Sequence, residues 1–340
     1  MIVCCFFTVD WSTNSIKYFN TLTMRPNKSY NCNTSISNSN WLTNTRKLFN
    51  TLITRRSAFY ICITFLFCGL AMSSCTSSKV ASTKTRTADI DLTHWKVTIP
   101  TPKENGRPIE VTPPAIFDYA SNEALKEFMY DDLTDGSIVF HAYPASTTAN
   151  TKYSRSELRE QMESGSNARN WTFKEGGRMK VKMSVPEITK DKNGKPHKVI
   201  IAQIHGRLTN EQRDLIGQKD NNAPPILKIY WDKGKVRVKT KILKNKKVSD
   251  LEILHKDAWG DDDGYNFEVP VDNKKFTLEI IASEGRLEVV LNGFQRSVYK
   301  GEDIDRWGIF ENYFKVGNYF QSRDKGAFAK VKIYELEVSH

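Results

Sequence analysis

The segment Phe328–Val338, FAKVKIYELEV, alternates apolar and polar side chains almost without a break. A period of two residues is typical of a β-strand with one buried face. Two further pairs of alternating segments are joined by short turns that contain glycine: Ile226–Trp231 with Lys235–Leu243, and Phe276–Ser283 with Arg286–Leu291. Each pair predicts a β-hairpin, because short glycine-containing turns connect antiparallel strands.

The same pattern of short segments and turn residues extends over the whole of residues 89–340. Asn193-Gly194 and Asp135-Gly136 mark further turns. Only Asn122–Met129 suggests a helix, and a short one. Many short strands in about 250 residues favour a single all-β domain, a β-sandwich of the jelly-roll type.

An export signal is predicted at residues 55–75. Arg55 and Arg56 precede a 14-residue apolar stretch, Ala58–Ala71, which is followed by small residues and Cys75. A stretch of 14 residues is shorter than the roughly 20 that span a bilayer. The pattern is that of a bacterial lipoprotein signal, in which Cys75 becomes the lipidated N-terminus.

The segments on either side of this signal are not expected to belong to the folded domain. Residues 1–54 are rich in Asn, Ser and Thr, and we expect either a disordered extension or a start codon placed too early. Residues 76–88 are small, polar and basic, which predicts a flexible tether. The protein is therefore expected to be exported and anchored by lipid, facing the periplasm or the cell surface, or otherwise secreted.

Charge and cysteine content exclude several classes of function. The net charge is +11, but residues 89–340 hold 40 basic and 38 acidic residues, so a general nucleic-acid surface is not expected. All six cysteines lie within the first 75 residues. The domain that follows therefore has no disulfide, thiolate nucleophile or cysteine-ligated zinc.

Three predicted strands place reactive side chains on one face. In the first, RSELR at 155–159, Arg155, Glu157 and Arg159 share a face. Two guanidiniums that flank a carboxylate also fit a salt-bridge ladder on the protein surface. The motif alone does not choose between these interpretations.

The second strand is Val199–His205, in which Val199, Ile201, Gln203 and His205 are expected to share a face. A buried, hydrogen-bonded histidine would explain His205 equally well.

The third strand is YFKVGNYFQ at 313–321. Tyr313, Lys315, Tyr319 and Gln321 share a face, and Gly317 indicates close approach by a ligand or another backbone. An exposed edge strand is the alternative. Together the three strands can supply one groove with Arg, Gln, His, Lys and Tyr side chains, an inventory that suits an anionic sugar.

These motifs resemble those of the polysaccharide lyase family 7 alginate lyases, whose patterns run R-S/T-E-L-R, Q-I/V-H and Y-F-K-x-G-x-Y-x-Q. RSELR, QIH at 203–205 and YFKVGNYFQ occur in the same order, and DLTHWKVTIP at 91–100 is similar to the first strand of the family. The resemblance implies an alginate lyase domain over 89–340, with a curved concave sheet that forms the substrate groove. It also implies β-elimination, whose products carry a C4–C5 unsaturated non-reducing end.

The resemblance assigns roles to individual side chains. Arg155 and Gln203 would neutralise the substrate carboxylate, His205 would act as base, and Tyr319 as acid, or as both for one epimer. The remaining motif residues would shape the subsites: Glu157, Arg159, Tyr313, Lys315 and Gln321. An imidazole near its ordinary pKa of roughly 6.5 can accept the proton, and a tyrosine can protonate the leaving oxygen, especially if nearby Arg or Lys lowers its pKa.

Other functions remain open from the residues alone. A lyase for another polyuronate, such as glucuronan, or a non-catalytic carbohydrate-binding module would use a similar groove. A glycoside hydrolase would need a pair of carboxyl groups, and no E-x-D-x-x-E motif occurs. Asp261-Asp262-Asp263-Gly264 is interpreted as a solvated loop or a weak calcium site, so a structural calcium is conceivable although no metal or cofactor is required. We expect a monomer whose partners are an acidic polysaccharide and, through the anchor, a membrane.

Overall fold

The computed structural model describes residues 87–147 and 151–340, and near the N-terminus the strands β1, Phe6–Asp10, and β2, Ser15–Phe19. These two strands pair as an antiparallel hairpin, which the sequence did not predict. The remainder of residues 1–54, the predicted signal with Cys75, and residues 76–86 of the tether lie outside the described residues. Export and lipid attachment therefore stay predictions.

The domain is built almost entirely from β-strands. They are β3 Trp95–Pro102, β4 Pro108–Val111, β5 Met129–Asp132, β6 Ser137–Ala142, β7 Arg155–Glu160, β8 Trp171–Thr172, β9 Gly177–Ile188, β10 Lys198–Arg207, β11 Asn222–Asp232, β12 Lys235–Leu243, β13 Trp259–Asp261, β14 Tyr265–Asn266, β15 Phe276–Ser283, β16 Arg286–Leu291, β17 Gln295–Lys300, β18 Glu311–Phe320 and β19 Ala329–Ser339. The helices are α1 Asn210–Leu215 and α2 Glu302–Trp307, and 3-10 helices span Glu252–Leu254 and Lys256–Ala258. Among the described residues no helix is long and apolar enough to cross a membrane.

Two antiparallel sheets form the sandwich. The first, called here the groove sheet, has the order β13-β12-β11-β10-β18-β7-β3-β4, with β14 beside β12 and β8 beside β18. The second, called the back sheet, has the order β17-β16-β15-β9-β19-β6-β5. Strands that are distant in sequence are neighbours in both sheets, as in a jelly roll. The all-β prediction is confirmed.

The core lies between the two sheets. Val97, Leu158 and Phe314 of the groove sheet belong to the same buried cluster as Val181 and Ile280 of the back sheet. Each such side chain contributes about 1.5–3 kcal/mol when it is fully buried. Alternate residues of the same strands face away from this core, and this leaves one face of the groove sheet available for polar groups.

Both predicted hairpins are confirmed. Asp232 pairs with Lys235 across the β11–β12 turn, and Ser283 pairs with Arg286 across the β15–β16 turn. The closing strand is also present, as β19.

The helix predicted at Asn122–Met129 is wrong. This segment forms successive turns, in which the amides of Leu125 and Lys126 both donate to Asn122 O. The helical bonding stops because the chain enters β5 at Met129, which pairs with Phe140.

The sequence also contains the N-terminal signal of a helix that we did not predict, α1. Thr209 caps α1 and forms a capping box with Gln212, in which each side chain bonds the backbone N–H of the other residue. The Thr-x-x-Gln spacing is the recognisable pattern of this motif.

An irregularity in β10 changes which residues face the groove. Val199 and Ile201 are expected on the polar face, and this is wrong, because both are fully buried in the core. Ile200 lines the groove instead. The register with both neighbouring strands shifts between Ile200 and Ala202, and this places two consecutive side chains on the core side.

Asn318 is the polar exception on the core face of β18. It is completely buried, and its Nδ2 donates to Phe140 O at 3.0 Å and to Ala329 O at 2.7 Å. These carbonyls belong to β6 and β19 of the back sheet. The amide therefore ties the central strand of the groove sheet to the opposite sheet.

Gly317 permits close packing between β18 and β7. Its φ is +135°, and a Cβ there would lie 2.9 Å from Ser156 O and 3.0 Å from Glu157 Cα. The close approach that the sequence indicated is thus made by a neighbouring backbone.

Replacing Gly317 with alanine should lower the free energy of unfolding by about 2–3 kcal/mol, because the clash adds to an unfavourable φ. Urea denaturation measures this loss. Gly194→Ala is the matched control: Gly194 also has a positive φ, +75°, but a Cβ there meets nothing within 4 Å. Equal losses in the two variants would contradict the packing role.

Candidate active site

Three neighbouring strands carry the four predicted catalytic side chains. Arg155 lies on β7, Gln203 and His205 lie on β10, and Tyr319 lies on β18, which runs between those two strands. Tyr319 is the register partner of Arg155, while Gln203 pairs with Lys315 of the same central strand. The structure therefore brings all four to one face of the groove sheet.

This face forms a groove with a volume of about 930 Å³. Besides the four residues above, it is lined by the predicted binding residues Arg159, Tyr313, Lys315 and Gln321. Nine lysine and arginine side chains line the groove, against the carboxylates of only Glu110 and Asp220. A groove of this composition attracts polyanions although the domain as a whole is nearly neutral.

Glu157 lies beneath the groove and is not exposed to solvent. It accepts a hydrogen bond of 2.6 Å from Gln203 Nε2, forms an ion pair with Lys315 Nζ, and lies 3.3 Å from Arg155 Nη1. The three donors come from β10, β18 and β7. This predicted binding residue therefore shapes the groove from below, by fixing the side chains that line it.

Lys315 is almost fully buried and loses most of its hydration. Burial, together with the nearby charge of Arg155, lowers its pKa to about 8, although Glu157 favours the charged form. The ammonium group is thus retained at neutral pH through its contact with Glu157.

Stacking contacts between aromatic rings and guanidinium groups hold neighbouring side chains of the groove in place. The Arg155 guanidinium lies over the Tyr319 ring at 4.0 Å, and Arg159 lies over Tyr313 at 4.1 Å. Tyr313 in turn stacks on His205, with ring centroids 5.2 Å apart and planes 11° from parallel. Cation–π contacts of this kind contribute about 0.5–2 kcal/mol each.

His205 is held as a neutral base. Its Nδ1 lies 2.9 Å from Gly206 O, and since a carbonyl only accepts, Nδ1 carries the proton and Nε2 keeps a lone pair. Burial, followed by the charges of Lys315 and Arg155, lowers the pKa of His205 to about 3. The expectation of an ordinary pKa is wrong, because the sequence does not show this burial.

Tyr319 also differs from expectation. Burial raises the pKa of its phenol, and this effect exceeds the opposing effect of the Arg155 charge. Arg155 therefore does not lower the pKa of Tyr319 overall, and the phenol is neutral at working pH.

Several lining residues were missed by the sequence analysis. Lys96 of β3 forms an ion pair of 2.9 Å with Glu110 of β4. Lys228 and Tyr230 of β11 and Lys241 of β12 also face the groove. Alternation in Ile226–Trp231 places Lys228 and Tyr230 on one face, but it does not show which sheet face that is.

The acidic segment Asp261–Asp263 is engaged by protein donors. Asp261 pairs with Lys228 and Lys241, and Asp262 accepts from both the backbone N and Oγ1 of Thr240 at 3.0 Å. Asp261 and Asp263 are nevertheless exposed, as expected for a solvated loop. In residues 87–147 and 151–340, no three His, Cys, Asp or Glu side chains are grouped so that they could hold a metal ion.

Comparison with known proteins gives the family. The sequence model of the family described as alginate lyase matches residues 90–340. The chain belongs to the family 7 alginate lyases. It is accordingly a polysaccharide lyase. No curated protein sequence matched the chain.

Solved structures of alginate lyases share this fold. Alginate lyase A1-II′, described as a member of polysaccharide lyase family 7, is 28% identical with a TM-score of 0.56, over 74% of this chain and 96% of that one. A variant of it in complex with a substrate written GGMG is 27% identical, with a TM-score of 0.57 over 74% and 94% of the chains. An alginate lyase from Pseudomonas aeruginosa, 21% identical with a TM-score of 0.54 over 74% and 99%, shows likeness of fold alone.

Glu157→Gln in this alginate lyase should lower the free energy of unfolding by about 3 kcal/mol, because Lys315 then stays buried without a counter-charge. Replacing Lys315 as well, in Glu157→Gln/Lys315→Met, should recover at least about 1 kcal/mol. Urea denaturation of the two single variants and the double variant completes the cycle. A double variant less stable than Glu157→Gln would refute the pairing.

Proposed function

We propose that this enzyme cleaves alginate by β-elimination, with Arg155, Gln203, His205 and Tyr319 as its catalytic residues. The observation that carries the proposal is the convergence of these side chains on one face of β7, β18 and β10, where Glu157 contacts Arg155 and Gln203. The groove has a cation, an amide donor, a neutral imidazole and a neutral phenol within one site.

Arg155 and Gln203 would bind the carboxylate of the uronate unit that loses its C5 proton. The C5 proton is weakly acidic, and its removal places negative charge on the adjacent carboxyl group. Fixed donors aimed at that group stabilise the developing enediolate. Glu157 holds both donors, and the Gln203 amide has a second N–H beyond the one that Glu157 takes.

His205 Nε2 would accept the C5 proton. Its lone pair is available because Nδ1 bonds Gly206 O and because the ring stays neutral far below pH 7. The electron pair of the C5–H bond then forms the C4–C5 double bond as the C4–O4 bond breaks.

Tyr319 would donate its proton to the departing O4, which becomes the hydroxyl of the new chain end. The phenol carries the proton to be donated, because burial raises its pKa. For the epimer whose C5 proton lies on the opposite face of the sugar, Tyr319 would serve as both base and acid: its phenolate form would take the C5 proton and then pass the same proton to O4. The phenol is positioned by the Arg155 guanidinium stacked on its ring.

The named relatives support alginate as the substrate. The variant of A1-II′ with GGMG replaces one histidine by asparagine and one tyrosine by phenylalanine. Another variant of the same enzyme holds a product written GGG. Histidine and tyrosine are the residue types to which we assign the base and the acid in this chain.

A hydrolytic mechanism is less well supported by the groove. Hydrolysis commonly needs two carboxyl groups at opposite sides of the scissile bond. Glu110 is paired with Lys96, and Asp220 also has a protein partner. Glu157, the carboxylate nearest to the catalytic side chains, is fully buried below them.

His205→Ala should reduce turnover of guluronate-rich alginate by at least about 10²-fold, because the base is lost. The measurement is ultraviolet absorbance of the conjugated C4–C5 double bond, with purified enzyme at fixed pH and salt. Calorimetry should show that oligosaccharide binding is retained.

His141→Ala is the matched control, since His141 lies on β6 of the back sheet. It should keep near wild-type turnover. Full activity in His205→Ala would remove His205 as base. No absorbance rise with wild-type enzyme on alginate or any other polyuronate would refute elimination itself.

The pH profile of kcat/KM should be flat between pH 5 and 7 and fall above about pH 8. His205 is neutral throughout the flat range because its pKa is about 3. The alkaline fall follows Lys315, whose pKa is about 8 and whose deprotonation weakens the attraction for a polyanion. Initial rates at constant ionic strength measure both limbs.

Lys315→Arg should move the alkaline limb to higher pH, because a guanidinium keeps its charge there. An acidic limb centred near pH 6.5 would show that His205 titrates with an ordinary pKa. That result would contradict the lowering of its pKa by burial and nearby cations.

A further inference from the structure

Two lysines outside the catalytic strands share one carboxylate at the end of the groove formed by β11, β12 and β13. Lys228 Nζ and Lys241 Nζ each lie 2.7 Å from an oxygen of Asp261. Both lysine side chains are only 15% exposed, and both line the groove. Neither is used in the elimination described above.

The charges of this group do not balance. Two ammonium groups face a single carboxylate, so one positive charge is left without a partner inside the group. Burial lowers the pKa of Lys228, although its hydrogen bond to Asp261 opposes this. Burial raises the pKa of Asp261, but the hydrogen bonds from the two lysines outweigh it, so the carboxylate stays charged. A structural ion pair would need only one lysine.

The backbone register connects this group to the catalytic residues. Lys228 is the partner of Gln203, Gln203 of Lys315, Lys315 of Arg159, and Arg159 of Lys96. Five adjacent strands thus contribute one nitrogen-bearing side chain each to a single row across the groove. Strands lie about 4.8 Å apart, which is comparable with the length of one sugar unit. A polymer running along this row can present successive carboxylates to successive strands.

We infer that Lys228, Lys241 and Asp261 form a second carboxylate-binding subsite, which holds a uronate unit beyond the one that undergoes elimination. The inference rests on the proposed function of the groove. Asp261 keeps both ammonium groups in place before substrate arrives, and the uronate carboxylate then shares them. Charge-assisted hydrogen bonds of this kind are among the stronger polar contacts in proteins.

Lys228→Met and Lys241→Met test the subsite. Methionine keeps most of the unbranched apolar stem and removes the charge. On polymeric alginate each variant should raise KM about tenfold, the effect of losing one charged hydrogen bond, while kcat stays within about twofold. Lys235→Met is the matched control on the same strand, because Lys235 is exposed and does not line the groove; it should keep the wild-type KM.

Asp261→Asn separates recognition from a structural role. The side-chain amide oxygen of this variant can still accept a hydrogen bond from the lysines but carries no charge that competes with the substrate carboxylate, so KM at low salt should fall below the wild-type value. A cluster that only stabilises the fold would instead give a raised KM and a lower unfolding temperature in all three variants. That outcome, or a wild-type KM in both lysine variants, would overturn the subsite.

Binding measured without turnover distinguishes this inference from the proposed function. In a His205→Ala background, calorimetry compares a uronate oligosaccharide with its neutral methyl ester. Lys228→Met should weaken binding of the acid about tenfold and leave binding of the ester unchanged. Equal effects on both ligands would refute carboxylate recognition, whereas failure of elimination alone would leave this difference intact.

Discussion

Glu157 places a negative charge below the groove, where no water reaches it. A buried carboxylate is costly unless it is paired and hydrogen-bonded. Arg155, Gln203 and Lys315 meet this requirement from three strands, so the orientation of each depends on the same anion. The polar floor of the groove is therefore one connected unit, and the apolar core behind it supplies the rigidity that keeps its members in register.

The same arrangement explains why the pKa values of His205 and Tyr319 differ from those of the same groups in water. His205 lies among Lys315, Arg155 and Arg159, and burial adds to their repulsion of a further positive charge. For Tyr319, burial acts against the nearby guanidinium and dominates. Burial and the cations of the groove thus keep the imidazole unprotonated, whereas burial alone keeps the phenol protonated. These are the two forms that proton abstraction and proton donation require.

Alternation along single strands was enough to predict which side chains share a face, as for Tyr313, Lys315 and Tyr319. It could not reveal the irregularity at Ile201, because that depends on how β10 pairs with two strands distant in sequence. The convergence of β7, β10 and β18 came from the family resemblance, since no local pattern specifies neighbours in a sheet. Burial is likewise a tertiary property, so the pKa directions of His205 and Tyr319 could not be obtained from residue types. Lys228 was overlooked because a lysine in an alternating strand resembles any solvated position.

Asn318 determines which parts of the back sheet can be substituted without effect on the groove. It follows Gly317 and precedes Tyr319, and its amide bonds carbonyls of β6 and β19. We expect a displacement of those back-sheet strands to shift Asn318, and with it the adjacent Tyr319 on the other face of the groove sheet. The outward-facing side chains of β6 and β19 are open to redesign for solubility or attachment. Substitutions that move the backbone of these strands at Phe140 or Ala329 would instead lower catalytic activity, although they lie in the sheet that does not contact substrate.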